Sequence, residues 1–161
     1  MDSKYMSSKE IYLVEGSGEF RQLARSVFTK FLPDYRVRFF QGAHELYQYM
    51  VLQSAEQFKG RRPGLIIIDL ELPAINGFDL LKLVRQTPPN TETDWKTIPI
   101  VILSSTARQE DIDRCYQAGA NSFFVKPVDF EELHTFLVTM CRRWIDGQGQ
   151  AATDIPDQIL H

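Results

Sequence analysis

The sequence is short of cysteine, of long apolar runs, of surplus positive charge and of repetition, and each shortage excludes something. Its two cysteines, Cys115 and Cys141, form neither a CxxC pair nor a metal-ligand spacing. Both fall in predicted helices, which fits free thiols in a reducing cytoplasm rather than a disulfide framework. No apolar stretch reaches membrane-spanning length, and Met1-Asp2-Ser3-Lys4 lacks the apolar core of a secretory signal. A cytoplasmic protein with no membrane partner is therefore expected. A formal net charge of -3 argues against non-specific nucleic-acid binding, which rests on a cationic surface. Nothing repeats internally, and no segment is of low complexity. A nucleotide-binding loop is missing as well. Glu15-Gly16-Ser17-Gly18 would need a third glycine at Arg21 to be a dinucleotide fingerprint, or Gly-Lys-Ser/Thr to be a P-loop. Glu15 and Glu19 would also repel phosphate.

What is present is an alternation of apolar strands and amphipathic helices, in a chain long enough for one domain with a full core. The organising stretch is Leu65-Ile66-Ile67-Ile68-Asp69, an unbroken apolar run rich in β-branched residues that ends on a carboxylate. Such a run suits a strand buried on both faces of a parallel sheet. Pro73 and Asn76-Gly77 punctuate the loop that follows, before an apolar-periodic segment from Phe78 to Arg85.

Earlier in the chain, residues 1–9 are polar and expected to be flexible. Ile11-Tyr12-Leu13-Val14 predicts the first strand, and Phe20, Leu23, Ala24, Val27, Phe28 and Phe31 give the stripe of a helix. Tyr35 to Phe40 alternates polar and apolar, as an edge strand does. A helix is predicted from Ala43 to about Gln57, with Leu46, Tyr47, Met50 and Val51 inward, and then a basic loop from Lys59 to Gly64.

Thr87 to Thr97 reads as a long polar loop carrying Trp95, and Pro99 introduces the strand Ile100-Val101-Ile102-Leu103, ending at Ser104-Ser105. Arg108 to Ala118 predicts a short helix with a thin apolar face of Ile112, Cys115 and Tyr116, terminated by Gly119. Ser122 to Val125 predicts the last strand, ending at Lys126-Pro127. From the N-cap Asp129 a final helix is expected to about Ile145. Residues 10–145 thus form one domain and 146–161 a tail.

Five alternations call for an α/β fold, a flavodoxin-like doubly wound parallel sheet of five strands with helices on both faces. The half-polar second strand belongs at an edge, which gives the order 2-1-3-4-5. In that arrangement the C-terminal ends of strands one, three, four and five share one rim, so Glu15, Asp69, Ser104 with Ser105, and Lys126 converge there. Alone, an acid after a strand can simply cap a turn. Polar residues closing four apolar strands in turn are a constellation.

These residues make the chain resemble a response-regulator receiver domain, the phosphoacceptor module of two-component signalling. The resemblance runs from about Glu10 to Ile145. It rests on Val14-Glu15, Leu65 to Pro73, Asn76-Gly77, Ile98 to Ser105, Ala118-Gly119-Ala120-Asn121 and Phe123 to Pro127. The layout, with a Trp in the last helix, also resembles single-domain regulators associated with bacterial phytochromes. The resemblance implies that Asp69 takes a phosphoryl group from a sensor histidine kinase or a histidine phosphotransfer protein, helped by Lys126, Ser104 and Ser105. It implies Phe123 at the switch position, a candidate cis bond at Lys126-Pro127, and Mg²⁺ held by Glu15, Asp69 and the backbone carbonyl of Glu71. Such a protein is not an enzyme beyond self-phosphorylation and self-dephosphorylation. A hydrolase using Asp69 as nucleophile would need a second rim carboxylate as acid and base.

The chain departs from the family at one telling place. The first strand normally ends in two adjacent acids, and the second of them is here Gly16. Mg²⁺ is commonly held by one or two carboxylates, phosphate oxygens and waters, so the expectation is weakened binding and slower phosphorylation. The alternative is a phosphorylation-independent pseudo-receiver acting through protein contacts. In either case the output is protein association with an unidentified downstream partner. Trp144 and Met140 on the last helix stand either in a homodimer contact or in the core.

Overall fold

Five short apolar strands pair in parallel in the computed structural model, which describes residues 8–53, 62–90 and 93–147. They are β1 (Glu10–Val14), β2 (Arg36–Phe40), β3 (Leu65–Asp69), β4 (Ile100–Ser104) and β5 (Ser122–Val125). Their order across the sheet is β2-β1-β3-β4-β5, as the sequence predicts. The alternation of exposed and half-buried residues along β2, up to the buried Phe40, marks it as the edge, whereas every residue of β1, β3 and β4 is buried.

The central strand shows why. Leu65 and Ile67 face one apolar layer with Val27, Phe28, Leu137 and Trp144, while Ile66 and Ile68 face another with Leu46, Leu80, Trp95 and Phe123. Successive side chains of a strand point to opposite faces, so a strand covered on both sides must be apolar throughout. Helices α1 (Gly18–Phe31) and α5 (Phe130–Met140) cover the first face, and α2 (Ala43–Gln53), α3 (Gly77–Gln86) and α4 (Gln109–Gln117) the second. Three helix starts are capped as their residue types require: Ser17, Asn76 and Asp129 each accept a hydrogen bond from the backbone N–H three residues on.

The structure corrects several sequence expectations. In α2, Leu46 and Met50 point inward, but Tyr47 and Val51 are exposed and Gln53 is buried instead. The buried Tyr12 hydroxyl explains this, since it accepts a hydrogen bond from the Gln53 amide. The rest of the predicted helix, to Gln57, and most of the basic loop lie outside the described residues. Leu23 and Phe31 of α1, and Tyr116 of α4, are also exposed.

The long loop before β4 is not merely polar, because its Trp95 is buried. The final α-helix stops at Met140 and continues as a π-helical segment, Cys141–Asp146, one residue past the predicted end. Asp146 accepts a hydrogen bond from the Tyr35 hydroxyl at 2.6 Å, which ties down the first residue of the predicted tail. Met140 and Trp144 are buried within the chain, so they present no apolar face to a second copy. Residues 1–7 of the expected flexible N-terminus and 148–161 of the expected tail lie outside the described residues.

Two glycines are set by geometry. At Gly77 a side chain would strike the carbonyl oxygen of Asp69, so only glycine lets α3 start this close to the end of β3. Gly119 closes α4 with φ 111°, and a side chain there would meet Arg85. Arg85 binds this corner by donating to the carbonyls of Gly119, Trp95 and Ile98 and to the side chain of Asn121. Burial holds its guanidinium below its ordinary value, at about 10.

Candidate functional site

The parallel pairing brings four strand ends to one rim. Asp69 pairs with Leu103, and Ser104 with Val125, so the residues that close β3, β4 and β5 stand side by side. Asp69 is the last residue of its strand and is buried, with the chain turning sharply behind it where the Gly77 amide donates to the Leu70 carbonyl at 2.8 Å.

Lys126 ties this rim together. Its Nζ lies 3.3 Å from Asp69 Oδ2, 2.9 Å from Glu15 Oε1 and 3.0 Å from Glu15 Oε2. One ammonium thus faces two buried carboxylates. It also sits 4.7 Å from the centre of the Phe20 ring at the start of α1, a cation–π contact on its remaining side. Burial alone would pull the Lys126 pKa down. The hydrogen bond to Glu15 and the charge of Asp69 outweigh it, and the net shift is upward.

Glu15 moves upward too, chiefly through burial and in part through the charge of Asp69, against the opposing hydrogen bonds from Lys126 and the Ser17 amide. The Ser17 amide donates to Glu15 Oε2 at 2.8 Å, and Arg21 donates to the Glu15 carbonyl at 2.7 Å, which fixes the acid from behind.

On the other side of Asp69 the Glu71 amide donates to Oδ1 at 3.0 Å, so both carboxylate oxygens are held. The Glu71 side chain reaches across to β4. Its Oε2 accepts the Ser104 hydroxyl at 2.7 Å, and its Oε1 accepts the Ser105 amide at 2.9 Å. Ser104 is buried and accepts from the Thr106 amide at 3.2 Å, so its single proton is committed to Glu71. Phe123 is fully buried, packed inward in the layer beneath α4. The Lys126–Pro127 bond is trans, since no peptide bond among the described residues is cis. This corrects the expectation of a cis bond and agrees with the modest intrinsic trans preference of an X–Pro link, about 0.5–1 kcal/mol.

All the rim residues singled out from the sequence are therefore neighbours in space: Glu15, Asp69 and Lys126 in one cluster, Ser104 and Ser105 joined to it through Glu71. The roles of Phe20 and Arg21 beneath the cluster carried no sequence signal. The Glu71 side-chain bridge carried only one hint, an extra acid near the rim.

Whether these residues suit a divalent cation is settled by their donors. Among the described residues, no three His, Cys, Asp or Glu side chains gather as a metal-binding group. Two carboxylates do meet, with both oxygens of Glu15 turned to Lys126 Nζ, at 2.9 and 3.0 Å. At Gly16 a side-chain carbon would lie 3.3 Å from the Pro73 ring, so the place of the absent second acid is narrow but not filled by backbone. Mg²⁺ is commonly held by one or two carboxylates, with phosphate oxygens and water completing its shell, and the two carboxylates here meet that minimum.

Comparison with known proteins follows the same lines. The profile of the response regulator receiver domain matches residues 11–138. A two-component response regulator of Arabidopsis thaliana, ARR3, is 32% identical over 104 residues, covering 63% of this chain and 43% of its own length. The chain thus spans less than half of that plant relative. Two solved structures match almost end to end. The phosphorylated cyanobacterial phytochrome response regulator RcpA superposes with a TM-score of 0.73 at 26% identity, covering 87% of this chain and 96% of its own. The Mn²⁺-bound form of response regulator Rcp1 gives 0.67 at 25%, covering 85% and 94%.

Proposed function

The chain belongs to the response regulator receiver domain family, and on that footing we propose that it accepts a phosphoryl group from a phosphohistidine onto Asp69 and signals through protein contacts. The observation that carries this reading is the Asp69 carboxylate, held 3.3 Å from Lys126 Nζ at the mouth of the sheet. In the transfer an Asp69 oxygen bonds to phosphorus as the phosphorus–nitrogen bond breaks, the electron pair leaving with the imidazole of the donor. The attack joins an anion to an anionic group, so charge neutralisation and alignment supply most of the catalysis. Lys126 provides one fixed positive charge, and Ser104 and Ser105 provide a hydroxyl and an amide for phosphoryl oxygens. Glu15, Asp69 and the Glu71 carbonyl would hold a divalent ion, which would further neutralise the phosphoryl charge.

The donor is a sensor histidine kinase or a histidine phosphotransfer protein, a reading supported by the likeness to RcpA, itself a phosphorylated phytochrome response regulator. We take residues 10–145 as the receiver domain; the first strand begins at Glu10 and the last helical segment runs to Asp146. The reading places the protein in the cytoplasm; among the described residues no helix is long and apolar enough to cross a membrane. Mg²⁺ binding is weak because Gly16 stands where a second direct carboxylate would be. The same glycine favours a second reading, a pseudo-receiver that acts without phosphorylation.

Intact-mass measurement separates the two. Incubated with phosphoramidate and Mg²⁺, the protein gains the mass of one phosphoryl group, and Asp69→Asn gains none. A wild-type protein that stays unmodified at every Mg²⁺ concentration supports the pseudo-receiver.

A further inference from the structure

Resting on that reading of Asp69, we propose that Glu71 is a positioning residue for the transfer. In the unphosphorylated protein its carboxylate occupies the donors that the phosphoryl group requires. The argument is one of donor count. Ser104 has a single hydroxyl proton and Ser105 a single amide proton, and both are given to Glu71, at 2.7 and 2.9 Å. The Ser104 oxygen itself accepts from the Thr106 amide at 3.2 Å, while its one proton goes to Glu71. Glu71 lies two residues beyond Asp69, and its own amide is bonded to Asp69 Oδ1. Its side chain therefore spans the gap above the acceptor, from the end of β3 to the end of β4.

A phosphoryl group on Asp69 and the Glu71 carboxylate are both anionic acceptors. They cannot share two protons, and their like charges repel at this range. Phosphorylation must therefore displace Glu71. The displacement is easy rather than forbidden, because Glu71 is exposed and its carboxylate regains water when it swings outward. Glu71 thus slows entry of the phosphoryl group without blocking it. It also keeps the two donors aimed into the site while the group is absent.

The test uses the whole chain, labelled with nitrogen-15, as wild type, Glu71→Gln and Glu71→Ala. Saturating Mg²⁺ is present throughout, and each variant keeps the residue-71 carbonyl. Two quantities are read: the Ser105 amide resonance before any donor is added, and the initial rate of Asp69 phosphorylation by phosphoramidate. The Ser105 resonance is expected to move upfield in both variants as its charged acceptor is lost. The rate is expected to rise in the order wild type, Gln, Ala, by about tenfold in the last.

A Ser105 resonance that stays in place overturns the proposal, because the contact then does not exist in solution. So does a moved resonance with equal or slower phosphorylation, because the donors are then not contested; in that event Asp69 remains the acceptor. Failure of all three proteins to be phosphorylated overturns the acceptor reading itself, and this inference with it.

Discussion

Replacing Lys126 by methionine keeps the length of the side chain and deletes its charge, leaving Glu15 and Asp69 facing each other in the protein interior. In the wild type the ammonium lies 2.9 Å from Glu15 and 3.3 Å from Asp69, with its side chain only 19% exposed. At about 3 Å and an effective dielectric of about 20, each attraction is about 5 kcal/mol before desolvation is subtracted. Removing one partner of a buried pair typically costs about 3–5 kcal/mol, because the remaining charge has no compensation, and here two remain.

The loss must also depend on pH. Glu15 already has a raised pKa through burial, and without Lys126 it is raised further. An acid whose folded-state pKa lies above its unfolded value gives stability that is complete below about 4.5 and is lost as pH rises through the folded value. Lys126→Met is therefore expected to be least stable relative to wild type near pH 7.5, with the gap closing as pH falls toward about 5. Urea denaturation followed through the buried Trp95 and Trp144 measures this directly. A loss below about 1 kcal/mol near pH 7.5, or a gap that is flat with pH, refutes the assignment of Lys126 as the shared counter-ion.

Other predictions address the remaining parts of the rim and its support. Gly16→Asp restores a direct carboxylate at the cost of a few tenths of an ångström from the Pro73 ring, and should tighten Mg²⁺ about tenfold by calorimetry. Unchanged affinity would mean that the glycine is not the cause of weak binding. Arg85→Ala strands three backbone carbonyls, with Asn121 Oδ1 keeping its bond from the Ile100 amide, and should lower unfolding free energy by about 3 kcal/mol; a loss under about 1 kcal/mol contradicts its role as the corner clamp. Gly119→Ala forces a side chain into a backbone at φ 111° and against Arg85, and should cost more than about 1 kcal/mol in the same assay; a neutral result contradicts the packing described.

Much of this was legible from the sequence because a parallel sheet writes itself plainly. Strands covered on both faces must be apolar throughout, so Leu65 to Ile68 and Ile100 to Leu103 stand out. A parallel sheet also places every strand's C-terminal end on one side, which is why the sequence alone brings Glu15, Asp69, Ser104 and Lys126 together. Contacts that skip over the chain left no periodic trace. Trp95 lies among threonines and acids, so its neighbourhood argued for a surface loop. Its burial follows from the same cap over β4 that Arg85 clamps. Arg85 itself ends an amphipathic helix as any exposed arginine does. Tyr47 and Val51 fitted the inward stripe of α2, but the polar tip of buried Tyr12 called for Gln53 instead. The Glu71 bridge depends on the distance between two strand ends, which no local pattern reports.

The central claim is that one particular carboxylate carries the phosphoryl group, and chemistry can mark that carboxylate. Borohydride reduces an aspartyl phosphate to homoserine and leaves free carboxylates intact. After phosphorylation, reduction and proteolysis, peptide mass spectrometry should find homoserine at position 69 and nowhere else. Reduction at Glu15 or Glu71 with Asp69 untouched, or no reduced residue in a protein that has gained phosphoryl mass, would contradict the account.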